Sequence, residues 1–234
     1  MSQTCNCVSC PSRSKSIMSD IPEDVLNELA SLKVTNVYKK GQTIFYEGNK
    51  PYGVYCLKNG NVKLYKTTAE GKNLIVRIAG GGDLIGYRYF FTNELYSSTA
   101  EVLEDATVCF LDKELFFGLL NKHPLLSLKL LEIMGQEVKN SEENSQSLAY
   151  NSTNERIVGM LIHLKETYGV KYDDNSYKID ILLSRNDLAG LTGTSTETLV
   201  RVMTWLKEKK VVKTENKFLR ITDFKALESL VPEF

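Results

Sequence analysis

Residues 183–212 read LSRNDLAGLTGTSTETLVRVMTWLKEKKVV, a run that few folds accommodate. Ser184 stands as an N-cap before a helix predicted over 185–191, because a serine hydroxyl accepts from an unpaired helical N–H. Gly193 falls where the chain must reverse at positive φ, a conformation glycine adopts without penalty. Thr194 or Ser195 then caps a second helix, with Glu197 in its first turn, where the helix dipole favours a carboxylate. Leu199, Val202, Met203 and Leu206 recur at helical spacing and form a core face. Thr196, Glu197, Val200 and Arg201 are left on the other side, and the small Ala189 lets the two helices cross closely. An ordinary helical hairpin has the same outline. The next segment narrows the choice: VVKTENKFLRIT, at 211–222, has two β-prone runs around Glu215 and Asn216, and 177–181 alternates like a further strand. Helix, helix and hairpin in this order outline a winged module whose second helix enters the major groove of DNA.

Charge supports that reading only locally. The chain has 29 basic and 29 acidic residues, so bulk charge says nothing about nucleic acid. Between 201 and 220, seven basic residues (Arg201, Lys207, Lys209, Lys210, Lys213, Lys217 and Arg220) face only Glu208 and Glu215. Such a cluster suits phosphates beside a recognition helix, and it equally suits a solvated helix end.

With 234 residues, two domains are expected. No apolar run approaches a membrane span, and MSQTCNCVSC lacks a signal-peptide pattern, so a cytoplasmic protein with no membrane partner is expected. Strands are predicted at 43–46, 53–57, 61–66, 74–78 and 107–111, punctuated by glycines; their short, regular spacing argues for a sandwich or a jelly-roll barrel. From Pro124 the period becomes helical. Leu125, Leu128 and Leu131, and beside them Leu126, Leu130, Ile133, Met134 and Val138, give apolar stripes on a helix reaching about residue 150. Such a helix pairs with a second copy or packs on the β domain; its polar distal half would make a weak seam. No nucleophile elbow, P-loop or H-E-x-x-H occurs, and His123 and His163 have no catalytic context, so an enzyme is not expected.

Taken together, these features resemble the CRP/FNR family of bacterial transcription regulators. KKGQTIFYEGNKPYGVYCLKNGNVKLYK (39–66) follows the family's glycine-punctuated sensor, GGDLIG (81–86) matches the stretch leading into its nucleotide pocket, and Glu197, Thr198 and Arg201 match its base-reading face. The resemblance implies an α+β chain: a cysteine-bearing segment (1–20), a jelly-roll, cyclic-nucleotide-binding-like β-barrel sensor (21–123), a dimerisation helix (124–150) and a winged helix-turn-helix (151–234). It implies a homodimer on double-stranded DNA, with RNA polymerase as a further candidate partner. The expected DNA-contacting set is Ser184, Arg185, Thr194, Ser195, Thr196, Glu197, Thr198, Val200 and Arg201. Arg201 can donate twice to guanine and Glu197 can accept from a cytosine amine. Thr196 and Val200 depart from the family pattern, which leaves the operator open.

The signal is a separate question. Cyclic-nucleotide binders of the family carry Gly-Glu after this stretch and an arginine soon after. Here Tyr87 follows Gly86, and Ser97 takes the arginine position, so cAMP or cGMP is not expected; Arg77 and Arg88 are the remaining cations nearby. The pattern is closer to the oxygen-sensing FNR branch, which implies a [4Fe–4S] cluster on Cys5, Cys7, Cys10 and Cys109. The spacing C-x-C-x2-C differs from that branch's C-x2-C-x5-C. Zinc on the same sulfurs, thiol oxidation, a non-nucleotide ligand in the sensor, or cysteines that merely pack all stay open, with Cys56 the weakest ligand candidate. A sensor module that docks protein instead of DNA is the remaining alternative.

Overall fold

The computed structural model describes residues 6–230, so Cys5 lies outside the described residues. The chain forms two compact units. The first holds the described part of Met1–Lys66 together with Val76–Asn140; the second holds Thr67–Ile75 and the described part of Ser141–Phe234.

The first unit begins with a short 3-10 turn, Arg13–Lys15. Then come α1 (Glu23–Leu32), β1 (Val34–Tyr38), β2 (Thr43–Phe45), β3 (Gly53–Asn59), β4 (Val62–Thr67), β5 (Asn73–Ala79), β6 (Leu84–Ile85), α2 (Arg88–Thr92), β7 (Thr99–Val102), β8 (Ala106–Asp112), α3 (Lys113–Lys122) and α4 (Pro124–Tyr150). The strands make two four-stranded sheets, β1-β8-β3-β6 and β2-β7-β4-β5. Neither closes on itself, which corrects the jelly-roll β-barrel expected for 21–123. Closure needs an unbroken hydrogen-bond ladder around the circle. Here the edge strand β6 is only two residues long, bounded by Gly82 at φ 103° and Gly86 at φ 85°.

Period-two alternation explains why the central strands β3 and β8 of the β1-β8-β3-β6 sheet bury residues on both faces. Leu57 and Val108 point into the core shared with the second sheet, alongside Phe45, Val62, Leu64 and Ala100. Val54 and Leu111 point the other way, into a core covered by α1, α3 and the start of α4. Cys7, Ile17, Met18 and Ile21 belong to that second core. The segment 1–20 is therefore no polar appendage over its described part; each large apolar side chain it buries is worth about 1.5–3 kcal/mol.

The apolar residues of α4 divide between two faces. Leu126 and Leu130 are buried in the sensor core, with Ile133 and Met134 packed against it. Leu125, Leu128, Leu131 and Val138 are exposed, Leu131 by 62 %.

The second unit contains α5 (Thr153–Tyr168), β9 (Gly169–Asp173), β10 (Ser176–Ile179), α6 (Arg185–Thr192), α7 (Thr196–Glu208), β11 (Val212–Glu215), β12 (Phe218–Ile221) and α8 (Phe224–Glu228). Its sheet runs β11-β12-β10-β9. The hairpin β11–β12 turns through Asn216 and Lys217 at φ 48° and 71°, the positive values a tight two-residue turn requires. Ile157, Leu161 and Leu164 of α5, Leu199 and Leu206 of α7 and Ile221 of β12 are fully buried and form the core between these helices and the sheet.

Candidate DNA interface and a buried sulfur site

Local chemistry sets the helix pair. Ser184 Oγ accepts from the Asp187 N–H, and the Asp187 carboxylate accepts from the Ser184 N–H at 2.9 Å, a reciprocal capping box. Helix α6 ends at Gly193, whose φ of 59° places it in the left-handed region. Its N–H donates to Ala189 O, and a Cβ there would meet Leu148 at 3.2 Å. Of the two expected caps for α7, the chain uses Ser195, whose Oγ accepts from the Thr198 N–H at 3.2 Å. Ala189 is buried, as the close crossing requires.

The expected contact set divides by role. Ser184 and Ser195 use their side-chain oxygens in caps, Thr198 Oγ1 accepts from Ser195 Oγ at 3.1 Å, and Thr196 Oγ1 donates to Asn186 Oδ1 at 3.0 Å. Arg185, Glu197 and Arg201 are exposed, Thr194 is half-buried at the turn, and Val200 is half-buried on the outer side of α7. Hydrogen bonds from its own backbone N–H and from Ser195 hold the Glu197 carboxyl below the usual range. Thus α7 presents one fixed anion and one long cation a single turn apart.

The basic cluster is not uniform. Arg220 is a member of the sheet: its guanidinium stacks on Tyr172 at 3.4 Å, pairs with Glu215 and Asp173, and donates to Ser176 Oγ. Lys213 pairs with Glu215, and Lys209 lies over Trp205. Lys207, Lys210 and Lys217 are exposed. Sequence alone did not separate these, because β9, which carries Tyr172 and Asp173, was not expected.

In the sensor unit, strand pairing puts Cys56 of β3 directly opposite Cys109 of β8. Both lie on the face that carries Val54 and Leu111, since residues two apart share a face. The N-terminal segment lies over that face and brings Cys7 and Cys10 to it. The four cysteines line one cavity of about 40 Å³, together with Ser12, Arg13, Met18, Leu29 and Lys33. None of the four is in a disulfide. Lys33 Nζ donates to Cys7 Sγ at 2.9 Å, and Thr35 Oγ1 lies 3.7 Å from Cys109 Sγ. Burial pushes the Cys56 thiol up, followed by the neighbouring Cys109, Cys10 and Cys7.

The covering segment is firmly held. Arg13 donates to the carbonyls of Ile21 and Met18 at 3.1 and 3.4 Å, and Ser12 Oγ donates to Lys58 O at 2.7 Å. Gly81 and Gly82 form its seat: a Cβ on Gly82, at φ 103°, would lie 3.0 Å from the Lys15 carbonyl. Among the described residues, no three His, Cys, Asp or Glu side chains are grouped to hold a metal ion.

The stretch after Gly86 is occupied by the protein itself. Arg77 pairs with Glu137 of α4 and with Asp83, and Arg88 lies 3.6 Å from the same Glu137. Ser97 Oγ is 2.9 Å from the Tyr89 hydroxyl. Phe45 stacks on Tyr96 at 4.0 Å, and Tyr55 and Tyr89 pack around them.

Residues 35–123 match the cyclic nucleotide-binding domain family, and residues 155–230 match the Crp-like helix-turn-helix domain family. The chain belongs to the CRP/FNR family of regulators. Within that family it stands closer to the FNR-type members than to the cAMP-specific ones. Its relatives include the anaerobic regulatory protein of Bacillus subtilis, 28% identical over 203 residues covering 86% of this chain and 83% of that one. The transcriptional activator protein FnrA of Stutzerimonas stutzeri is 28% identical over 186 residues, 79% of this chain and 75% of that one. Among solved structures, FixK2 from Bradyrhizobium japonicum superposes with a TM-score of 0.74 at 19% identity, covering 86% of this chain and 98% of that one. CooA from Carboxydothermus hydrogenoformans superposes with a TM-score of 0.73 at 17% identity, covering 98% and 97%. This CRP/FNR protein is a DNA-binding transcription regulator with an N-terminal sensor and a C-terminal helix-turn-helix. No helix among its described residues is long and apolar enough to cross a membrane.

Proposed function

We propose that the DNA affinity of this regulator is set by the state of the sulfur site in its sensor unit, answering to oxygen or redox poise through an iron–sulfur group. The observation that carries this is the convergence of Cys7 and Cys10 on the Cys56–Cys109 strand pair around one cavity. Thiolates are the ligands such groups use. The Lys33 ammonium, 2.9 Å from Cys7 Sγ, offsets the negative charge that thiolates bring into an apolar pocket. A [4Fe–4S] group bound there would supply an oxygen-labile redox centre. The names of the relatives, anaerobic regulators among them, favour the same signal. A cyclic nucleotide is disfavoured, because Arg77 and Arg88 are committed to Glu137.

The output is a homodimer on DNA. The exposed Leu125, Leu128, Leu131 and Val138 of α4 form the seam with a second copy. Two copies of α7 then read half-sites about one DNA turn apart, with Arg201 and Glu197 at the base edges. RNA polymerase would meet the bound dimer. Protein purified under argon should be coloured, carry about four irons and equivalent sulfide per chain, and bleach in air. A colourless protein that takes up no iron on anaerobic reconstitution overturns the reading.

A further inference from the structure

We infer that Arg77, Arg88 and Tyr87 form a carboxylate-binding site in the sensor unit, filled by the protein's own Glu137, and that this internal ligand fastens α4 to the sensor. The site shares no residue with the sulfur cavity and does not depend on what that cavity holds. Glu137 continues a helical face: Leu126, Leu130, Ile133 and Met134 precede it at the spacing that keeps side chains on one side. Those four are apolar and pack in the sensor core. Glu137 closes the row with a carboxylate, its side chain only 14 % exposed, whereas residues 138–140 after it are exposed. A charge enclosed to that degree needs cations and donors around it.

The sensor supplies them. Arg77 of β5 donates to Glu137 Oε1, and Arg88, the first residue of α2, brings its Nε within 3.6 Å of Oε2. Tyr87 is 1 % exposed, and its hydroxyl has no hydrogen-bond partner among the described residues. Burial, and then the Glu137 charge, push that phenol up. Arg77 is held independently of α4: it donates to Leu84 O at 3.4 Å and pairs with Asp83 Oδ1 at 3.3 Å. Asp83 is fixed in turn, its other oxygen accepting from the Gly80 N–H at 2.8 Å. The seat is therefore positioned by sensor backbone, not by its occupant. Arg77 and Arg88 balance Asp83 and Glu137, so removing Glu137 leaves one partly buried cation uncompensated. Guanidinium N–H groups match the two oxygens of a carboxylate, which is the ligand class the seat selects. Because the chain itself supplies that carboxylate, α4 is tied down as far as Glu137 without a dissociable anion.

The test uses the full chain, purified under argon, and chemical rescue. Glu137→Ala deletes just the atoms that acetate contains. It should speed amide hydrogen exchange over residues 133–140 by about 10-fold. Sodium acetate should restore most of that protection, and sodium chloride of equal ionic strength should not. The parent should respond to neither, and adding Arg77→Met to Glu137→Ala should abolish the rescue. Parental exchange in Glu137→Ala overturns the tie, and acceleration that acetate reverses no better than chloride overturns the binding site. Should Glu137→Ala fail to fold, Glu137→Gln decides, since it keeps the shape and loses the charge: faster exchange over 133–140 sustains the proposal, and parental exchange overturns it.

Discussion

The two units handle polar chemistry in opposite ways. In the DNA-binding unit, side chains at the helix ends are spent on fixing backbone: Ser184, Asp187 and Ser195 cap, and Gly193 turns. The groups suited to base edges, Glu197 and Arg201, stay exposed on that scaffold. In the sensor unit the reactive groups are enclosed, and the cavity exists only because a terminal segment folds over a sheet. A reader of DNA needs an accessible, preformed surface, whereas a sensor needs a group whose change of state disturbs packing.

The largest expected effect tests that enclosure. Gly82→Val forces a β-branched residue to φ 103° and against the Lys15 carbonyl, a cost of about 3 kcal/mol. The covering segment should lift from the sheet, seen as faster hydrogen exchange across residues 7–18, while α6 and α7 keep their protection. Unchanged exchange would mean that the segment is not seated on Gly82.

Next comes the exposed face. Arg201→Ala should weaken binding to a selected operator by about 2 kcal/mol and relax preference at one base pair, measured by fluorescence anisotropy on a single-substitution operator series. Uniform weakening at every position would make Arg201 a phosphate contact instead. Ser195→Ala removes the cap of α7 and should cost about 1 kcal/mol of stability in denaturant unfolding; no loss would mean another group takes over the Thr198 N–H. The smallest effect separates the members of the basic cluster. Lys217→Ala should reduce the slope of log Kd against log salt by about 1, whereas Arg220→Ala should leave that slope unchanged and lower stability. Equal slopes for Lys217→Ala and the parent would remove the wing tip from the interface.

The same contrast decides what could be read in advance. The helix pair was legible because its signals lie within a few residues of one another; α6 runs Arg185–Thr192 against an expected 185–191. Five sensor strands were legible from their β-branched runs and glycine turns. The strands β1 and β7 were not: Asn36 interrupts one and Glu101 sits inside the other, and both owe their state to partners far along the chain. Barrel closure was misjudged because regular strand spacing does not reveal which edges pair. Cys109 was singled out only through family resemblance, and the place of Cys56 opposite it was not legible because it depends on a register no local pattern records. Lys33 carried no signal at all, since a lysine ending a helix is ordinary.

The central claim is that the sulfur site sets DNA affinity. The most direct measurement is the Kd of one argon-purified sample for an operator selected from genomic fragments, before and after exposure to air, beside Cys10→Ser treated identically. The account predicts that air weakens binding by the parent by about 5- to 150-fold, the usual range of coupling between two sites, with Cys10→Ser weak under both conditions. Equal affinity of the parent before and after air, or a Cys10→Ser variant that responds as the parent does, would contradict it.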